Sequence, residues 1–388
     1  MIKLFGDKII WWVSILLFLI SILLVYSSGG YNSIMSHIPH VIMAIGIVFI
    51  FSRFNYKYFT NLSVILLLVS GILLLYLLIF PSLYPGANAS RWIRVGFFSF
   101  QPSELAKYSL ILFLSRNLFL YKNTMTSFIS VFKYILLPSF FIIFLIIPSN
   151  LSTAILIILI VLFLLFFSGF SIKLYFKYLL LPLIISLIFF ITILSLPPIN
   201  FIDKSLPRLT TWKNRICSQE IDIPPFIWVD CSNYDPSEVY SNNYQINKAL
   251  GAINRGGLIG QGAGNSYYKK ILPESKSDFI YAILIEEYGM IGGFSVLFLY
   301  LSFYQRILIL SNKTKEEFQR LLLLGLGTII LLQALLHMSV SVNLIPVTGQ
   351  TLPLISKGGS SLWVTSLAIG IILNISYQIQ NQYSSHEK

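Results

Sequence analysis

Leu151-Ser152-Thr153-Ala154-Ile155-Leu156-Ile157-Ile158-Leu159-Ile160-Val161-Leu162-Phe163-Leu164-Leu165-Phe166-Phe167 is a run of 17 residues without a charge, a proline or a glycine. At about 1.5 Å per residue it is near the shortest helix that crosses a hydrocarbon layer roughly 30 Å thick. Comparable runs recur along the whole chain. Ten are read, at Ile9 to Tyr26, Ile38 to Phe51, Leu62 to Phe80, Ser103 to Leu120, Phe132 to Ile147, Leu151 to Phe167, Tyr178 to Leu196, Phe279 to Tyr304, Leu321 to Val342 and Leu362 to Gln378. Hydrophobic residues are 56% of the 388 and charged residues 11%, against the roughly 25% charged of a soluble domain. The expected fold class is an all-α polytopic membrane protein of about ten transmembrane helices.

Orientation follows from basic residues in short loops. With the N-terminus inside, Lys3, Lys8, Arg53, Lys57, Arg116, Lys122, Lys133, Lys173, Lys177, Arg306, Lys313, Lys315, Arg320 and Lys388 face the cytoplasm, and the short outer loops hold Arg91, Arg94 and Lys357. Both termini are then cytoplasmic. Residues 1–388 read as one membrane unit, with residues 197–278 a large extracytoplasmic loop between helices 7 and 8. Much of the net charge of +12 reports topology, so no nucleic-acid partner is implied. Ile9 to Tyr26, preceded by lysines and followed by Ser27-Ser28-Gly29-Gly30, has some signal-peptide features. Its apolar run exceeds the usual h-region of about 7–15 residues, so it is read as a retained first helix.

The large loop holds both cysteines. A Cys217–Cys231 disulfide in an oxidising compartment would close 15 residues and contribute around 3 kcal/mol by loop entropy; two free thiols in an insertion are the alternative. Further on, Gly256-Gly257-Leu258-Ile259-Gly260-Gln261-Gly262 has no preceding strand and no room for a βαβ unit, which excludes a nucleotide-binding loop. Backbone flexibility and close approach explain the glycines, and such a loop can also offer amide N–H groups to a phosphate. The loop then runs through Pro273-Glu274-Ser275-Lys276-Ser277-Asp278 into the apolar Phe279-Ile280-Tyr281. A carboxylate at this boundary can meet the polar head of a substrate whose lipid tail lies alongside.

Charges inside apolar runs are costly and mark partners, cavities or substrate paths. Glu104 and Lys107, three residues apart behind Gln101-Pro102-Ser103, share a helix face and can neutralise each other as a structural pair. Glu286 and Glu287 follow Asp278 by eight and nine residues, about 12 Å deeper along a straight helix. They point about 100° apart, so one can bind within the bundle while the other faces a cavity. His337 has no metal-ligand spacing around it and is read as a hydrogen-bonded packing residue.

Four blocks of the chain carry a resemblance. They are Arg91-Trp92-Ile93 with Phe100-Gln101-Pro102-Ser103-Glu104-Leu105-Ala106-Lys107; Ala252-Ile253 with Gly256-Gly257-Leu258-Ile259-Gly260; Leu272-Pro273-Glu274 to Asp278-Phe279 with Glu286-Glu287-Tyr288-Gly289; and Pro346-Val347-Thr348-Gly349-Gln350-Thr351-Leu352-Pro353-Leu354-Ile355-Ser356-Lys357-Gly358-Gly359-Ser360-Ser361. Together they resemble the shape, elongation, division and sporulation (SEDS) family, which includes RodA and FtsW, membrane glycosyltransferases that polymerise peptidoglycan from lipid II. The division type, FtsW, fits better on Thr211-Trp212-Lys213-Asn214-Arg215 and Pro148-Ser149-Asn150-Leu151-Ser152-Thr153. Three positions depart from the family pattern: Asn150 where Asp is common, Lys276 where His is frequent, and Lys357 within the final Ser-Gly-Gly block.

The resemblance implies that Asp278 matches the family's catalytic aspartate, a base for the acceptor sugar hydroxyl. The leaving group is undecaprenyl pyrophosphate, and Arg91, Arg94, Arg208, Lys213, Arg215 and Arg255 are the cations available to it, with Glu104 and Lys107 also assigned to substrate binding. Gln101, Ser103, Glu286, Glu287, Ser356, Gly358, Gly359 and Ser360 are supporting residues. No cofactor is certain; a divalent cation bridging pyrophosphate and carboxylate is compatible, although no metal-ligand cluster is visible. Implied partners are lipid II, the nascent glycan strand, membrane lipids, a class B penicillin-binding protein supplying the transpeptidase, and other divisome proteins, in the cytoplasmic membrane at the septum. A lipid II flippase, an elongation-type polymerase and a noncatalytic division scaffold are the competing readings.

Overall fold

The computed structural model describes residues 5–54, 57–80, 91–95, 98–124, 127–169, 176 and 236–386. The run Tyr178 to Leu196 and the loop residues Arg208, Lys213, Arg215, Cys217 and Cys231 therefore lie outside the described residues. The helices are α1 (Lys8–Arg53), α2 (Lys57–Ile79), α3 (Pro102–Leu120), α4 (Phe128–Ile146), α5 (Leu151–Phe167), α6 (Pro236–Gly256), α7 (Ile280–Lys313), α8 (Glu317–Ser341) and α9 (Gly359–His386). Six of them are long and apolar enough to cross a membrane. All the expected runs except the seventh fall on these helices. Trp12, Ile72, Phe144 and Phe298 stand exposed on the outside of the bundle, as residues facing acyl chains do.

Two of the helices are hairpins. A straight α1 of 46 residues would be about 69 Å long. Instead the Arg53 guanidinium lies 4.8 Å from the Phe5 ring centre, and Ser21 Oγ lies 2.8 Å from His37 Nε2. The chain reverses at Gly30, whose φ of 64° a glycine adopts without steric cost. The arms of α1 are the first two apolar runs. At its start the buried Asp7 accepts from the Ile9 and Ile10 N–H groups and from Arg306 at 2.8 and 2.6 Å. Helix dipole and guanidinium together compensate that carboxylate.

The helix after Asp278 departs from the straight span expected of it. Gly289 in α7 has φ 71° and ψ −175°. A Cβ on Gly293 would lie 2.9 Å from Ile285 Cγ1 and 3.1 Å from Tyr281 Oη, whereas a straight helix separates residues eight and twelve apart by roughly 12 and 18 Å. The short first arm folds back on the long second one. Glu286 and Glu287 thus sit at the bend and are not simply deeper along one axis. The cause is backbone contact: the Leu258 carbonyl oxygen of the glycine-rich segment comes within 2.2 Å of where a Gly289 Cβ would stand, and Met290 N–H bonds Gly257 O at 2.9 Å.

A two-stranded antiparallel ribbon, β1 (Ile93–Val95) and β2 (Phe98–Phe100), leads into α3 and pairs Ile93 with Phe100. Pro102 occupies the first turn of α3, where no backbone donor is needed. Packing of α3 against α8, and of α8 against α5, then leaves α3 almost wholly buried.

Candidate active site

The end of the bundle away from the start of α1 is closed by two non-helical segments bonded to each other. Ser356 Oγ accepts from Leu352 N–H at 2.8 Å and donates to Ser277 O at 2.7 Å, and Lys357 N–H donates to Lys276 O at 2.9 Å. These bonds hold the turn before α7 against the loop before α9. Asp278, the next residue, is half-buried at the mouth of α7. Facing it is Gly349, with φ 67°; a Cβ there would lie 3.5 Å from Asp278 Oδ2 and 3.1 Å from Arg91 Nη1. The carboxylate and the guanidinium are therefore no farther apart than the sum of these distances. Arg91 is aimed by its Nε, which donates to Ser149 O at 2.8 Å.

The loop carrying Gly349 is anchored one residue later. Gln350 Nε2 donates to Thr153 Oγ1 at 2.9 Å, Ser152 Oγ at 3.1 Å and Asn150 Oδ1 at 3.3 Å, while His337 Nδ1 lies 2.8 Å from Gln350 O. His337 is a packing residue, as expected. Asn150 caps α5 by accepting from Thr153 N–H at 3.3 Å, a role open to Asn and Asp alike.

Glu104 and Lys107 form a wholly buried ion pair of 2.8 Å beneath this loop. Lys107 Nζ also donates to Gln333 Oε1, Gln333 Nε2 donates to Thr351 O at 3.0 Å, and Thr351 Oγ1 lies 2.8 Å from Ser361 Oγ. The pair thus supports the loop from below through Gln333. Gln101 N–H donates to Ser360 Oγ at 3.2 Å and Gln101 Nε2 to Ser103 Oγ at 3.0 Å, joining the ribbon end to the start of α9. Gly358 and Gly359 lie there too, Gly359 against the His40 ring. Gln333 and Gly349 escaped the site reading. An amide interrupting an apolar run is the signal that points to Gln333; Gly349 sits inside a quoted block but carries no chemistry of its own.

Other expected residues lie elsewhere. Glu286 accepts from Tyr267 N–H at 2.9 Å and from Ser266 Oγ, with Arg255 Nε at 3.7 Å. It therefore fixes the glycine-rich segment, and Arg255 stands beside it. Glu287 accepts from Ser27 Oγ of α1. Arg94 is on β1 opposite Ser99. Lys357 is held below the ordinary lysine range, first by burial and then by the neighbouring Lys276 ammonium. Among the described residues no three His, Cys, Asp or Glu side chains are grouped to hold a metal ion.

The chain is 31% identical to the probable peptidoglycan glycosyltransferase FtsW of Coxiella burnetii, over 89% of this chain and 86% of that one. It is 33% identical to the stage V sporulation protein E of Bacillus subtilis over 86% of this chain and 84% of that one. Its fold matches a solved structure described as the structural coordination of polymerization and crosslinking by a peptidoglycan synthase complex, with a TM-score of 0.71 and 19% identity, over 96% of this chain and 98% of that one. Residues 7–381 match the family model of the FtsW, RodA and SpoVE cell cycle proteins, and the chain belongs to that family.

Proposed function

We propose that the protein is a peptidoglycan glycosyltransferase that polymerises lipid II into glycan strands during cell division. One observation carries the reading: a half-buried carboxylate, Asp278, faces a guanidinium, Arg91, across the side-chain-free Gly349 at the outer end of an apolar bundle. The Asp278 carboxylate takes the proton of the acceptor sugar hydroxyl as that oxygen bonds the anomeric carbon of the donor. The bond from that carbon to the pyrophosphate oxygen breaks, and the electron pair leaves with the polyprenyl pyrophosphate. Arg91 meets the growing phosphate charge with a bidentate donor set. Low solvent access strengthens both interactions.

The division role rests on the names of the relatives. The partner is a class B penicillin-binding protein that cross-links what this chain polymerises, among other divisome proteins. The protein is a multi-pass component of the cytoplasmic membrane at the septum, with both termini inside. The test uses the purified chain with its cognate penicillin-binding protein and fluorescent lipid II. Asp278→Asn keeps size and polarity but removes proton affinity, so glycan ladders are expected to fall on the order of 100-fold or more, with elution and partner binding unchanged. Ladders near wild-type level from the Asn variant would remove Asp278 as the base. No ladder from the wild-type complex would return the chain to the flippase or scaffold readings.

A further inference from the structure

Beside the Lys276–Asp278 segment there is a second polar opening. It is a cleft of about 740 Å³ between the α1 reversal at Ser27 to Gly30 and the segment from Lys269 to Lys276. Lys269, Lys270 and Lys276 line it, against the single lining carboxylate of Glu274, which already accepts from Ser277 Oγ at 2.6 Å. Lys276 Nζ reaches across to Ser33 Oγ at 3.0 Å and Lys269 Nζ to Gly264 O at 2.6 Å. Behind Ser27, one of the lining residues, Glu287 is 1% exposed; one carboxylate oxygen accepts from Ser27 Oγ and the other has no hydrogen-bond partner among the described residues. A buried acceptor in that state is costly unless a donor reaches it.

An apolar groove of about 170 Å³ lies between α1 and α7, lined by Ile20, Leu23, Leu24, Leu284, Tyr288 and Val296 among others. Ile20, Leu24 and Ser27 follow one another at helical spacing, so a single face of α1 carries the groove up into the cleft. The ligand that fits has an anionic phosphate head for the three lysines and a long apolar chain for the groove. We infer that this cleft and groove form a second lipid-phosphate site, holding the polyprenyl pyrophosphate of the substrate that is not at Arg91. The inference rests on the polymerase reading, because joining two lipid-linked molecules requires two such sites flanking one base. Lys276 and Asp278, two residues apart, face the two sites from one segment.

Native mass spectrometry of the detergent-purified full chain with undecaprenyl pyrophosphate tests it without reading catalysis. The wild type is expected to retain two molecules, Lys269→Gln/Lys270→Gln/Lys276→Gln one, and Arg91→Gln one. The second molecule should bind at least ten-fold more weakly to the triple variant. Lys269→Gln/Lys270→Gln, at surface positions, and Leu23→Trp, in the exposed groove wall, give the same direction if the triple variant fails to fold. Retention of two molecules by the lysine variants overturns the site, as does a wild type holding one molecule that Arg91→Gln abolishes. Displacement of the second molecule by equimolar phosphatidylglycerol overturns its assignment to substrate. A wild type holding one molecule that only the lysine variants lose keeps this site and removes the one at Arg91. Active Asp278→Asn would refute the base and leave the cleft standing.

Discussion

Lys107 shows how a buried charge supports a loop from beneath. Its ammonium is fully enclosed, and its partners are Glu104 and Gln333. Lys107→Ala leaves the Glu104 carboxylate uncompensated and is expected to cost about 3–5 kcal/mol. The double change Glu104→Gln with Lys107→Met removes both charges at similar volume and should cost less than the single one. Thermal unfolding in detergent and ladder synthesis, run as a double-mutant cycle, check this; additive losses would mean that the residues act separately. At Gly349, alanine adds a Cβ 3.1 Å from Arg91 Nη1 in a backbone region that costs other residues about 1–2 kcal/mol. Gly349→Ala is expected to lower polymerisation by about ten-fold, or roughly 1.4 kcal/mol, with the protein still monodisperse. Full activity would show that the spacing of Arg91 and Asp278 is unimportant. Asp278, Glu104 and Lys107 were legible in the sequence because a charge at or within an apolar run demands a reason. The meeting of Arg91 with Asp278 was not, since residues far apart in the chain are joined only by how α3, α5 and α8 pack.

At the scale of elements, apolar runs announce helices but not the direction in which the chain travels between them. Ser27-Ser28-Gly29-Gly30 falls in the gap between the first two runs, a break that is itself the signal of a turn, and the chain reverses there at Gly30. Tyr288-Gly289-Met290 lies within one apolar run and gave none, because its bend depends on the glycine-rich segment packing backbone to backbone against it. The two reversals differ in that respect, which makes them a controlled pair. Among the described residues nothing lies within 4 Å of a Gly30 Cβ, whereas a Gly289 Cβ would meet Leu258 O at 2.2 Å. Gly30→Ala should therefore cost only the strain of a backbone region essentially restricted to glycine, on the order of 1–3 kcal/mol. Gly289→Ala should cost clearly more and free the segment from Gly256 to Gly262, read as faster amide exchange there. Equal losses in melting temperature would mean that the packed segment adds nothing to the bend.

For the whole molecule, the hairpins sort the charges between two ends. Arg53 stands over Phe5, Arg306 pairs with Asp7, and Lys122 meets Glu317 at 2.8 Å, all at the end where α1 begins and finishes. Arg91, Lys276 and Lys357 gather at the opposite end with Asp278. The basic-residue bias of short loops assigns the first end to the cytoplasm, and the proposed chemistry on an externalised lipid-linked sugar needs the second to face out. Labelling of introduced cysteines tests that orientation. In a Cys217→Ser/Cys231→Ser background, Lys270→Cys is expected to react with a membrane-impermeant maleimide on intact spheroplasts, and Asn312→Cys, exposed just before the end of α7, only after permeabilisation. The reverse pattern would place Asp278 inside the cell, where neither its proposed substrate nor its cross-linking partner could reach it.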